Sequence, residues 1–347
     1  MLKSAAIFIA LIFILISAVF AYSKYNKPPK LNISPQTDFA NNMDGEGETE
    51  PFNLSIEALK KGNYPGSDLV IEETLAQGSN YKRYLVSYLS EDLKIFALLT
   101  VPNGTPPENG FPAIVFNHGY IPPAQYSTTE RYIAYTDAFS RSGYVLLRPD
   151  YRGHGDSQGS PSGAYGSNNY TIDVLNALSS LKKYPGVDTQ KIGMWGHSMG
   201  GFITLRAMVV NKDIKAGVIW AGVVASYQDL FERWRRRNVP STTPSTRGGS
   251  WRQTLSAQFG EPSENPTFWN SLSANSFLED ISGPIQLHHG TADTSVPVEF
   301  SQTLEKRMQE AGKTVELYTY SGDDHNIASN FGIAAQRSVE FFNKYLK

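Results

Sequence analysis

From about residue 69 onward, apolar and polar positions alternate between two periods. Leu69–Leu75 and Tyr81–Ser90 read as strands, followed by Leu93–Val101, and the short turn-rich stretches between them predict antiparallel pairing. Ala113–Phe116 is a short continuous apolar run, the pattern of a parallel strand buried on both faces. Tyr144–Leu147, Ile192–Trp195, Ala216–Trp220, Ile285–Leu287 and Thr314–Tyr320 repeat it. Between these runs Tyr170, Val174, Leu178 and Leu181 fall on one face of a helix, and residues 129–141, 199–211, 298–311 and 328–346 are further helix candidates. Strand–helix alternation of this kind predicts a mostly parallel sheet with helices on both faces.

Two regions break the alternation. Residues 222 to about 278 are too long for an ordinary crossover and predict a small inserted helical cap. Tyr227, Leu230, Phe231 and Trp234 form an i, i+3, i+4, i+7 stripe there, flanked by Arg233, Arg235, Arg236 and Arg237. The stripe either packs on the main domain beneath a solvated basic face or roofs a site, with Trp234 and Phe231 as candidate substrate-binding residues. At the other end, Ala5 to Tyr22 is apolar except for Ser17. Eighteen such residues reach the lower limit for a membrane span, so residues 1–22 are expected to be a signal anchor or a signal peptide. Residues 23–52, rich in Pro, Asn, Asp, Glu and Gly, read as a flexible tether. That leaves 53–347 for one catalytic domain, placed outside the cytoplasmic membrane on an anchor, or secreted after cleavage.

Composition narrows the chemistry. With no cysteine, disulfides, thiol nucleophiles and thiolate metal sites are excluded. A net charge of −2 gives no reason to expect a nucleic-acid partner. His288 and His289 are adjacent, so in a strand they point to opposite faces; no metal or cofactor is expected, and both read as packing residues.

The chemistry centres on Gly196-His197-Ser198-Met199-Gly200. A strand-like run precedes it and a helix-like run follows, the setting of a nucleophile elbow, in which a serine sits on a strained turn and its neighbours two residues away must be nearly free of side chain. A serine hydroxyl needs a base, and the base needs an orienting partner. His325 lies in the loop after the last predicted strand and Asp293 in the loop after the preceding one, so all three loops meet along one edge of a parallel sheet. The expected roles are Ser198 as nucleophile, His325 as base and then acid, and Asp293 holding the imidazole; Asp323 and Asp324 are the weaker candidates for orienting it. The oxyanion needs two preset donors, each worth about 3 kcal/mol. The N–H groups of Met199 and Tyr120 are the candidates, the latter in Asn117-His118-Gly119-Tyr120, where His118 is expected to brace the loop. Arg152 and Asp156 are expected to form a local ion pair in Asp150-Tyr151-Arg152-Gly153-His154-Gly155-Asp156-Ser157.

Together with His289-Gly290-Thr291-Ala292-Asp293 and Asp324-His325, these motifs resemble, in order, the α/β-hydrolase superfamily and within it the catalytic domain of the prolyl oligopeptidase family, over roughly residues 90–346. The resemblance implies the same triad. Typical family peptidases carry a β-propeller ahead of this domain; here only about 40 to 60 residues separate the tether from the hydrolase region, too few for one. The expected function is a serine hydrolase acting on an ester or a small peptide or amide bond, with an acyltransferase or a catalytically silent binding module as alternatives.

Overall fold

The computed structural model describes residues 54–234 and 251–347. The N-terminal apolar run, the tether and Arg235, Arg236 and Arg237 of the cap lie outside the described residues. Among the described residues no helix is long and apolar enough to cross a membrane.

Among the described residues nine strands form one sheet in the order β1-β2-β3-β5-β4-β6-β7-β8-β9. Three strands, β1 (Val70–Leu75), β2 (Tyr81–Ser90) and β3 (Leu93–Pro102), make the antiparallel end. The parallel body consists of β4 (Phe111–Asn117), β5 (Val145–Pro149), β6 (Val187–His197), β7 (Ile214–Trp220), β8 (Ile285–Gly290) and β9 (Val315–Tyr320). The chain passes from β4 to β5 on one side and then to β6 on the other, so the winding reverses at β4. Loops after β4 and β6 therefore diverge at the carboxyl edge and leave a crevice, the usual ligand position in such sheets.

Helix α1 (Ile56–Lys61) packs on other helices; α2 (Ile133–Arg141), α3 (Asn169–Lys183), α4 (Met199–Val210), α8 (Glu299–Glu310) and α9 (Phe331–Leu346) cover the sheet, and α5 (Tyr227–Arg233), α6 (Trp251–Phe259) and α7 (Pro266–Leu272) belong to the insertion between β7 and β8. Strand pleating sends alternate residues to opposite faces, and the core divides accordingly. Ala113, Val115, Val145, Leu147 and Met194 join one cluster with Val174 and Leu178 of α3 and Ile203 of α4. Ile114, Phe116, Leu146 and Trp195 join the other with Phe139 of α2 and Phe342 of α9. Burial on both faces explains why these strands read as unbroken apolar runs.

Two helices start later than their periodicity predicts. Tyr132 adopts a left-handed conformation (φ 56°), so α2 begins after it. The N–H groups of Ala328, Ser329 and Asn330 bind the carboxylates of Asp324 and Asp323, so α9 begins at Phe331. Arg152 corrects a second expectation. It pairs with Asp173 of α3 (Nη2–Oδ1 2.7 Å) and with Glu91, while Asp156 stays exposed. The loop folds back over the start of α3, where Asp173 is already buried and needs a cation.

Candidate active site

Ser198 occupies the turn between β6 and α4 with φ 55° and ψ −117°, a conformation that costs about 1–3 kcal/mol for a residue with a side chain. The turn is held from both sides: the Ser198 N–H donates to the Trp220 carbonyl (3.0 Å) and the Ser198 carbonyl accepts from Val223 (3.1 Å). Its glycines are sterically required. A Cβ on Gly200 would lie 1.9 Å from the Asn117 carbonyl oxygen, and one on Gly196 would lie 2.3 Å from that of Gly200. Met199 opens α4, so its N–H is among those at the helix start with no intrahelical acceptor.

Asp293 follows β8 and its carboxylate gathers four hydrogen bonds. Oδ1 accepts from the Ser295 and Val296 N–H groups (2.7 and 3.0 Å); Oδ2 lies 2.7 Å from His325 Nδ1 and 3.1 Å from His289 Nε2. Burial works to raise its pKa, but the bonds from the two histidines outweigh that and hold the carboxyl below the usual range. With Nδ1 committed to Asp293, Nε2 of His325 is the ring nitrogen that can take a proton from serine. The loop carrying His325 is rigid in its own right: the Asp323 carboxylate accepts from the Ser329 and Asn330 N–H groups, and that of Asp324 from Asn326 and Ala328. These contacts give Asp323 and Asp324 a bracing place and leave the imidazole to Asp293.

Ser198 and His325 line one cavity of about 350 Å³ together with Gly119, Tyr120, Tyr132 and His197. Gly119 packs against the elbow; a Cβ there would stand 3.2 Å from the Ser198 Cβ. Tyr120 is exposed on the cavity wall. His118 is buried between the carbonyls of Gly119 (2.7 Å from Nδ1) and Asp150 (3.3 Å from Nε2). Burial pushes its pKa to about 3, so it is neutral and donates to the nearer oxygen.

Trp234 and Phe231 lie elsewhere. Trp234 is 7% exposed and donates from Nε1 to the Ser295 carbonyl (2.9 Å), so the cap grips the loop of Asp293 from outside the Ser198 cavity. Phe231 packs on Trp251 and Trp269 within the cap.

Three residues escaped the sequence reading. His289 does more than pack: Nε2 donates toward both Asp293 Oδ2 and the Val296 carbonyl (3.0 Å), and Nδ1 meets the Ser301 hydroxyl (2.7 Å). His197 and Tyr132 join each other below the serine (Nδ1 to hydroxyl 2.8 Å). A polar ring just after the apolar run Ile192–Trp195 was the available signal for His197, because a buried imidazole must find partners.

The prolyl oligopeptidase family model matches residues 131–347. The chain is similar to the uncharacterized peptidase YtmA of Bacillus subtilis (strain 168), at 25% identity over 243 residues, covering 70% of this chain and 85% of that protein. It is similar to dipeptidyl peptidase 4 of Sus scrofa at 26% identity over 178 residues, which is 50% of this chain; it spans only 20% of that larger protein. Among solved structures, acetyl xylan esterase 1 of a Thermoanaerobacterium species superposes with a TM-score of 0.59 at 16% identity, over 85% of this chain and 92% of that one, a likeness of fold. The elbow, the Asp293–His325 pair and the family match converge: the chain belongs to the prolyl oligopeptidase family of serine hydrolases.

Proposed function

We propose that this protein cleaves an ester or a small peptide or amide bond through an acyl-enzyme intermediate. Ser198 Oγ attacks the carbonyl carbon as its proton passes to His325 Nε2. The tetrahedral oxyanion is met by the N–H groups of Met199 and Tyr120. The proton then goes to the leaving alcohol or amine as the bond to it breaks. Water repeats the sequence on the acyl-serine and releases the acid, and Asp293 stabilises the imidazolium formed in each half. The observation that carries this reading is the 2.7 Å contact from Asp293 to His325, whose ring lines the same cavity as the strained Ser198. A cavity near 350 Å³ suits a small acyl group or one or two residues of a peptide. The relatives include a peptidase and an esterase by name, and both chemistries share this acyl-enzyme.

The direct test is covalent labelling by a fluorophosphonate. The full-length protein is expected to label and Ser198→Ala to lose both labelling and about 10⁴-fold or more of hydrolysis; a folded wild type that does not label overturns the reading. A panel setting acyl esters of graded length against aminoacyl and prolyl amides then assigns the bond, and added alcohol acceptors reveal any acyl transfer. The apolar run Ala5 to Tyr22 supports export across the cytoplasmic membrane, with the hydrolase anchored or released outside it. Protease shaving of intact cells tests that placement.

A further inference from the structure

His197 stands immediately before the nucleophile, is 4% exposed, and is bonded at both ring nitrogens. Nε2 lies 3.0 Å from the backbone carbonyl of His325. A carbonyl only accepts, so Nε2 carries the hydrogen. Burial, reinforced by the neighbouring His325 ring, pushes the His197 pKa down to about 3, so Nδ1 is bare and accepts from the Tyr132 hydroxyl at 2.8 Å. The Tyr132 oxygen in turn accepts the Gly119 N–H at 2.8 Å. Every donor in this line has one acceptor, and only one set of hydrogen positions satisfies it. The line joins two loops that must agree in position, the one bearing the base and the one that turns toward Tyr120, and it runs directly beneath Ser198. Tyr132 reaches it by adopting φ 56°, a strained backbone for an aromatic residue.

We infer that His197 and Tyr132 are positioning residues: a neutral imidazole and a phenol that together fix the distance between the His325 loop and the oxyanion loop. The inference rests on the triad proposed above. Neither residue exchanges a proton with substrate. Tyr132 has one hydrogen and spends it on His197, so its hydroxyl is not the second oxyanion donor. What the pair supplies is preset geometry, and a shift of about 1 Å in such a site costs on the order of 100-fold in rate.

The test uses Tyr132→Phe, His197→Phe and the double variant in the full chain, with active sites counted by the fluorophosphonate burst so that kcat refers to competent enzyme. Each single variant is expected to lower kcat about 10- to 100-fold with KM within about twofold. The double variant should lose no more than the worse single one, because either change severs the same line. His197→Gln, which keeps a donor for the His325 carbonyl, should recover part of the loss. Wild-type kcat in Tyr132→Phe, or losses that multiply in the double variant, overturns the inference while wild-type labelling leaves the triad standing. A fall confined to melting temperature, with kcat per titrated site unchanged, also overturns it. Failure of the wild type itself to label sinks the triad reading and this inference with it.

Discussion

Asp293 shows how much of the proposed catalytic pair is held in place by residues outside it. Its carboxylate is divided between two tasks: Oδ1 closes a turn on Ser295 and Val296, and Oδ2 faces two histidines. His289 is the second of these and comes from the end of β8 itself, so it is stiffer than any loop residue could be. A hydrogen bond to a charged group is worth about 1.5–3 kcal/mol. His289→Phe is therefore expected to lower kcat about 10- to 100-fold while the elbow stays intact, as read by unchanged folding and by steady-state kinetics on a good ester. Ser198, Asp293 and His325 were each legible from residue type and loop order. His289 was not, because a histidine inside an apolar strand reads as packing until the carboxylate it faces is known.

At the scale of elements, the elbow is a strand and a helix brought closer than side chains allow. Gly200 is the tightest point, and the obstacle to a Cβ there is backbone of the adjacent strand, which cannot rotate away. Gly200→Ala is expected to destabilise the fold by about 3 kcal/mol or more, visible as a lower denaturant midpoint with an unchanged slope. Gly290 plays the same part between β8 and the His325 loop, where a Cβ would lie 2.3 Å from the Asp323 carbonyl oxygen. The sequence marks both glycines, and at Gly200 it also names the motif; at Gly290 only the fold reveals what approaches. Tyr227, Leu230 and Phe231 of the stripe fall on α5 as their spacing predicts, while Trp234 stands just past its end. What the stripe covers was not legible, since a stripe says that a face is buried and leaves its partner open.

Across the whole molecule, one buried cluster couples stability to pH. Asp150 follows β5 at full burial; Thr128 donates to it, yet burial outweighs that bond and raises its pKa to about 7. An acid whose folded pKa exceeds its unfolded one binds the extra proton in the native state, so its contribution is fully present below about pH 4 and is lost as pH rises through 7. The unfolding free energy of wild type minus that of Asp150→Asn is expected to fall by up to about 4 kcal/mol between pH 4 and 8, measured by denaturant titration at each pH. A difference that is flat across that range would show that Asp150 is ionised throughout.

Apart from α1 and the second and third helices of the insertion, strand and helix types, their order, the elbow and the three loops bearing Ser198, Asp293 and His325 were determined by the sequence itself, because hydrophobic period and glycine placement are local properties of the chain. The partners were decided by tertiary structure. Arg152 chose Asp173 over the nearer Asp156, Asp293 acquired His289, and His197 met Tyr132 across 65 residues. Each of these pairings depends on which groups burial strips of water. That is known only when the sheet has closed and the loops at its carboxyl edge must satisfy one another.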